Sequence, residues 1–254
     1  SSRAALDEDW GRDSYVLKGY LAFHVRRAIE QDAFCISGES IITTAGMLQT
    51  RYGTPLYLIF SPNNRPEINP YYLEFVGDNP RCGDLPQHPQ LPDWPMINMG
   101  AEIVIAYEHI LGDNEARLSY LGNITRVAQM CAISGAVQWS LHRNLHIRQL
   151  YLGTPNFFVP LYLQNRENIT SSPDLVAPIQ VQKNHLIVRT VLEPYMAYPW
   201  ARIVATRHDQ LPSWLLSAWN TQGEKFGEEE VEKIESAELG DTINKETENV
   251  SEQK

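Results

Sequence analysis

The chain has 254 residues, of which 43% are hydrophobic, and this suits one large folded domain with a sizeable core. No run of about 18 apolar residues occurs, which excludes a membrane-spanning helix. The chain starts at Ser1 without a signal-peptide pattern, so we expect that a leader or a longer N-terminal region has been removed.

The net charge of −10 is unevenly distributed along the chain. Residues 223–254 hold eleven acidic residues and four Lys, so the preceding 222 residues carry only −3. Within them, the segment 142–208 is basic, with six Arg and one Lys against three acidic residues. The acidic segment has one Phe and no Trp or Tyr, which predicts a disordered C-terminal tail.

The three cysteines are Cys35, Cys82 and Cys131, which are far apart in the chain. An odd count without a CxxC pair argues against a disulfide framework and against a metal site. We therefore expect buried, reduced thiols, no bound metal and no cofactor.

The hydrophobic pattern, taken in chain order, predicts an α+β fold: a single mixed α/β domain over 1–222, with antiparallel strands packed by helices. Helices are predicted at 14–31, in two stretches from Ala101 to Leu141, and at 193–206; strands are predicted within 34–50 and at 55–60, 71–76, 156–163, 175–181 and 185–192. Asp13 or Ser14, Asn114 and Asn123 are candidate helix caps, and Pro160 indicates an edge position or a bulge. The Pro-rich segment 77–98 is predicted to be a surface loop.

Five blocks of sequence, in a fixed order, resemble the OST-HTH-associated domain family, DUF3825. They are Thr43-Thr-Ala-Gly-Met47 before an apolar strand, Glu108-His-Ile110 with Arg117, Arg143 to Tyr151 before Val159 to Leu163, Thr190 to Arg202 with its Met-Ala-Tyr core, and Trp214-Leu215. The family's Asn is absent from the first block, and Arg148 replaces its Pro in the third. The resemblance implies an α+β domain that occurs alongside RNA-linked modules.

The chain also resembles the guide-RNA-associated proteins of kinetoplastid mitochondrial RNA editing, which belong to its RNA editing substrate-binding complex. This likeness implies a subunit of a ribonucleoprotein complex, paired with a paralogous subunit or a second copy, that binds the 5′-triphosphate end of guide RNA. It also implies the mitochondrial matrix, with the cytoplasm as the alternative location. No membrane partner is expected.

The residue types at these positions suit phosphate and base recognition. In an extended segment, Asn144, His146 and Arg148 share one face, whereas on a helix Tyr198 and Arg202 share another. The predicted RNA-binding residues are Arg117, Arg143, Asn144, His146, Arg148, Gln149, Tyr198 and Arg202, with Tyr151 or Trp200 as further stacking surfaces. A structural role remains open for Arg202, as the partner of Glu193 or Glu108.

Two other functions remain open. The chain could be a structural paralogue that has lost RNA binding and pairs with an RNA-binding sister subunit. It could also be an RNA-end phosphohydrolase or nuclease that holds a metal at Glu108, Asp113 and Glu115. Because the nucleotide-binding and hydrolase motifs are absent, we predict no catalytic residue. Thr43 and Thr44 beside Gly46 are a further candidate anion site.

Overall fold

A computed structural model describes residues 7–226, except positions 68 and 152. Contacts within the chain divide it into two compact units. The first unit comprises Ser1–Asp93 and Arg202–Leu211, and the second comprises Trp94–Ala201 and Pro212–Lys254. Helices and largely antiparallel sheets confirm the predicted α+β class. The single domain over 1–222 stays a prediction.

The first unit is built on an antiparallel sheet with strand order β1-β2-β3-β4. Its elements are α1 (Tyr15–Glu30), β1 (Phe34–Ser37), β2 (Ser40–Gln49), β3 (Pro55–Pro62) and β4 (Tyr71–Gly77). Helix α1 packs on β2 through a stripe of buried residues at three- and four-residue spacing that includes Tyr20 and His24. These elements confirm the predictions for this part of the chain.

The second unit holds a five-stranded sheet with strand order β5-β9-β8-β7-β6. The strands are β5 (Glu102–Ile105), β6 (Ile147–Tyr151), β7 (Thr154–Leu161), β8 (Leu175–Gln182) and β9 (His185–Val188). Strand β5 is parallel to β9, and the other pairs are antiparallel. Pro160 lies in a central strand, but beyond the last β6–β7 pair, Ile147 with Phe158, so no β6 residue pairs with it.

Some helices of the second unit share one apolar core with its sheet. They are α2 (Tyr107–Gly112), the 3-10 helix Glu115–Leu121, α3 (Arg126–His142), the 3-10 helix Pro194–Ala197, α4 (Tyr198–Arg202), whose last residue belongs to the first unit, and α5 (Ser213–Gln222). Ile133 and Val137 of α3 belong to the same buried cluster as Val159 of β7 and Ile179 of β8. Helix α3 therefore has a fixed position on the sheet.

Several predicted boundaries were wrong. Residues 102–105 form a strand and not the start of a helix, because they pair with β9. Helix α3 starts after Thr125, whose hydroxyl accepts a hydrogen bond from the Ala128 N–H (3.3 Å), so Asn123 is not its cap. Ser14 and Asn114 precede helices but make no side-chain cap bond.

The C-terminal boundary of the folded part lies beyond the predicted residue 222. A 3-10 turn spans Gly223–Lys225, and Phe226 is buried with its ring 6.3 Å from that of Trp219. The aromatic contact explains why these residues are ordered. The predicted disorder of the acidic tail otherwise lies outside the described residues.

The prediction of three buried, reduced thiols was wrong. Cys35 and Cys82 form a disulfide across 47 residues of chain, and Cys131 is a free, exposed thiol on α3. Of the described helices, none combines the length and apolar character that crossing a membrane requires.

Candidate functional site

Arg202 is buried in the first unit and is not available to a ligand. Its side chain is 1% exposed and forms a two-pronged ion pair with Glu8, with Nε–Oε1 at 2.5 Å and Nη2–Oε2 at 2.9 Å. Nη1 donates to the Ala205 carbonyl, and the guanidinium lies 4.9 Å from the ring centroids of both Trp10 and Tyr20. The predicted RNA contact is therefore wrong for Arg202, which has a structural role.

The partner of Arg202 is also not one of those predicted. Glu193 and Glu108 were the expected carboxylates, but Glu8 takes this place from a position 194 residues away in the chain. Nothing in the local sequence around Arg202 indicates such a distant partner.

Tyr198 and Gln149 are likewise buried in the second unit. Tyr198 is 1% exposed and stacks on Trp219, with ring centroids 4.6 Å apart and planes at 13°. Gln149 is fully buried, and its amide atoms have no hydrogen-bond partner among the described residues. Tyr151 is buried as well. None of these three side chains offers a surface to RNA, which corrects their predicted role.

The Thr-Thr-Ala-Gly block does not form an anion site. Gly46 has a φ of +60°, and a Cβ there would lie 2.6 Å from the His24 ring and 2.7 Å from the Tyr20 hydroxyl. The N–H of Met47, which could hold an anion, donates to that hydroxyl at 2.7 Å. Thr43 donates to the Ala33 carbonyl. The block is filled by packing side chains, and this explains its glycine.

His24 is a buried, neutral histidine within this packing. Its Nε2 lies 3.1 Å from the Ile203 carbonyl oxygen. Burial lowers its pKa to about 4, and the positive charge of Arg202 acts in the same direction. The side chain therefore stays uncharged at neutral pH.

An exposed cationic surface lies on the second unit at the C-terminal end of α3. The Arg143 guanidinium carbon lies 4.1 Å from the ring centroid of Trp139, and that of Arg166 lies 5.6 Å from the same ring. In the part of the chain that the structure describes, neither arginine has a carboxylate within 4.0 Å. We call Arg143, Trp139 and Arg166 the Trp139 surface.

The end of α3 positions this surface. Asn144 adopts the left-handed conformation, with φ +56°, and its N–H donates to the Leu141 carbonyl, so the helix ends at His142 and Arg143 caps it. The cation of Arg143 thus lies at the negative end of the helix dipole. Arg166 is held from the following loop, since its Nε donates to the Tyr162 carbonyl at 2.9 Å.

His146 immediately precedes the edge strand β6, and Arg148 is the second residue of that strand. Because alternate residues of an extended chain point the same way, the two side chains lie on one side of the sheet, as predicted. Arg148 is exposed, with its guanidinium carbon 5.4 Å from the ring centroid of Trp94. The His146 ring meets Phe157 edge-on at 4.9 Å. Burial lowers the pKa of His146, and Arg148 contributes to that shift. Asn144 precedes the strand and is not part of its alternation.

Arg117 and the candidate metal ligands lie elsewhere in the second unit. Arg117 Nη1 donates to Asn114 Oδ1 at 2.6 Å and to the Val191 carbonyl at 2.7 Å. The proposed metal ligands Glu108 and Asp113 pair instead with Arg126 and His109. Over the described ranges, no three His, Cys, Asp or Glu side chains come together as a metal site.

Three residues of this cationic region were not among the predicted site residues: Trp94, Trp139 and Arg166. Trp139 could have been found, because it lies on the helix predicted to end at Leu141 and precedes Arg143 by four residues, a spacing that brings two side chains together if the helical turn continues. Trp94 lies in a Pro-rich loop and Arg166 in a polar loop, so no periodicity links them to the site.

The predicted RNA-binding set is therefore divided by the structure. Arg143, Asn144, His146 and Arg148 lie together near the end of α3 and the start of β6, whereas Gln149, Tyr198 and Arg202 are buried and Arg117 lies at another site. Searches against protein-family models, curated proteins and solved structures give no match, so the likeness to the OST-HTH-associated and guide-RNA-associated proteins stays a prediction.

Proposed function

We propose that this chain binds RNA through the Trp139 surface, as a subunit of a ribonucleoprotein complex that holds a 5′-phosphorylated end such as that of guide RNA. The observation that carries the proposal is the pair of guanidinium groups, Arg143 and Arg166, held against one indole ring without carboxylate partners among the described residues. Free guanidinium groups bind phosphate oxygens in pairs and stack on bases.

The order already present at this surface favours binding. Contact with Trp139 restricts the rotamers of both arginines before a ligand arrives, which lowers the entropic cost of binding. Arg148 against Trp94 offers a further cation of the same kind on the same unit. Because residues 1–222 carry a net charge of only −3, attraction to RNA is local and does not extend over a long duplex.

The test is a binding titration with short single-stranded RNAs that differ only at the 5′ end: triphosphate, monophosphate or hydroxyl. The expected order of affinity follows the phosphate count, and binding weakens with salt. Arg143→Gln and Arg166→Gln each weaken binding severalfold. A matched control is Arg51→Gln, since Arg51 is also exposed and lies 4.8 Å from an aromatic ring centroid, that of Tyr52 in the first unit.

Two results would exclude this function in different ways. Equal affinity for all three RNAs would exclude recognition of the 5′ end and would leave only general RNA binding. If Arg143→Gln and Arg51→Gln lowered the RNA affinity equally, the Trp139 surface would be excluded as the binding site.

A second candidate is a structural subunit that pairs with a similar chain. The observation in its favour is β4, an edge strand whose Tyr71, Tyr72 and Leu73 are each at least 40% exposed. An exposed apolar edge strand can pair with a strand of another chain. Light scattering after size exclusion should show a dimer with itself or with an RNA-binding sister chain, and Leu73→Lys should dissociate it. A monomer under both conditions excludes this candidate.

A further inference from the structure

The second unit has a cavity of about 440 Å³, and its lining shares no residue with the Trp139 surface. Its walls come from the 3-10 helix Glu115–Leu121, the segment before β8, the start of the 3-10 helix Pro194–Ala197, and α5. The volume falls within the usual range for small-molecule sites. The charged side chains in its wall are Arg117, Asp174 and Glu193, and Ser217, Thr221 and Gln222 add polar groups.

The guanidinium group of Arg117 is held in a fixed orientation, and some of its N–H groups have no acceptor among the described residues. Its Nη1 donates to Asn114 Oδ1 and to the Val191 carbonyl, and these two bonds fix the guanidinium plane. Its Nε and Nη2 donate to no acceptor within the described residues, which leaves an adjacent pair of N–H groups suited to a carboxylate.

The carboxylates of the cavity differ in their partners. Asp174 accepts three hydrogen bonds, from the N–H groups of Leu163 and Gln164 and from the Gln164 side chain. Glu193 is half-buried, and its carboxylate has no hydrogen bond or ion pair to any described residue. Because Arg117 and Glu193 line one cavity without an ion pair between them, both charges are available to a ligand.

We infer that this cavity binds a small zwitterion of amino-acid to dipeptide size. The ligand's carboxylate pairs with Nε and Nη2 of Arg117, and its ammonium group pairs with Glu193. The hydroxyls of Ser217 and Thr221 and the amide of Gln222 receive the rest of a polar ligand. A phosphate ester fits less well, because two carboxylates against one guanidinium repel an anion.

The test uses the full chain and thermal unfolding in the presence of pooled amino acids and dipeptides at millimolar concentration, followed by calorimetric titration of the active compound. The same compound is then offered as its N-acetyl derivative and as its carboxamide, each of which lacks one charge. The zwitterion should raise the unfolding temperature, and both blocked forms should bind at least about tenfold more weakly, since each loses a charge-assisted hydrogen bond.

Glu193→Gln is the decisive variant, because its carboxylate has no partner among the described residues whose loss would disturb the fold. It should weaken zwitterion binding by about tenfold and leave RNA binding unchanged. Glu167→Gln, on an exposed loop, is the control. No response to any zwitterion, equal binding of the blocked forms, or equal effects of the two variants would overturn the inference without bearing on the RNA proposal.

Discussion

The two units use arginine on aromatic rings for opposite purposes. In the first unit, Arg202 lies between Trp10 and Tyr20 and is neutralised by the buried carboxylate of Glu8. In the second unit, Arg143 and Arg166 lie on Trp139 with no carboxylate among the described residues. The ring contacts are alike, so the presence of a carboxylate decides which arginine stabilises the fold and which can bind a ligand.

The largest expected effect is on the buried pair. Arg202→Gln removes the charge that forms the two-pronged ion pair with the buried carboxylate of Glu8, and it should lower the free energy of unfolding by about 3–5 kcal/mol. Urea unfolding of the variant measures this, and Arg65→Gln, at an exposed loop position, should change little. A loss below about 1 kcal/mol would contradict the contrast between the two arginine environments.

The next largest expected effect is a pH dependence of the stability of the first unit, which arises from the protonation of His24. Its folded pKa of about 4 lies below the ordinary value of 6.5, so the unfolded chain binds a proton between these values and the folded chain does not. The contribution of neutral His24 to the free energy of unfolding is therefore complete above pH 6.5. It decreases as the pH falls, by roughly 3 kcal/mol at pH 4.

His24→Gln removes the titrating group and should flatten the stability curve over this range, even where it lowers stability at neutral pH. The comparison is made by urea unfolding at a series of pH values. Identical slopes for the variant and the native chain would show that His24 is not responsible.

A smaller effect concerns the ring beneath the exposed arginines. Trp139→Leu keeps both cations but removes the surface that orients them, and should weaken RNA binding by about 0.5–1 kcal/mol. The salt dependence of binding should stay unchanged, because the number of phosphate contacts is the same. By contrast, Arg143→Gln should reduce the slope of log affinity against log salt by about 0.7. An equal loss of slope in Trp139→Leu would mean that the ring does more than orient charge.

The last prediction concerns which thiols can be labelled, and labelling itself should change the stability of the chain least. Without reductant, an alkylating reagent should label Cys131 alone, since Cys35 and Cys82 are bonded to each other. Mass spectrometry should show one label before reduction and three after reduction and unfolding. Three labels on the unreduced chain would restore the original expectation of free thiols.

The sequence predicted the elements well where one hydrophobic period dominates. The stripe of α1 and the apolar run of β3 lie within a residue or two of their predicted bounds. It failed at Glu102–Ile105, because only pairing with the distant β9 distinguishes this segment from a helix start. Local patterns encode such non-local pairing weakly.

The site could be predicted only in part, for a related reason. The basic character of the segment from Arg143 to Arg148 is visible in the sequence, and its exposed residues lie near one another. The burial of Arg202 depends on Glu8, and the position of Arg166 depends on a loop. Neither partner lies within the span that a periodic pattern covers.

The discontinuity of the first unit has a consequence for biosynthesis. Its segment Arg202–Leu211 is translated only after most of the second unit, yet this segment supplies the partner of Glu8. A nascent chain that ends before residue 202 lacks the guanidinium group that pairs with Glu8 in the finished protein. On the ribosome, the first unit therefore has to complete its folding late, after the sheet of the second unit has emerged.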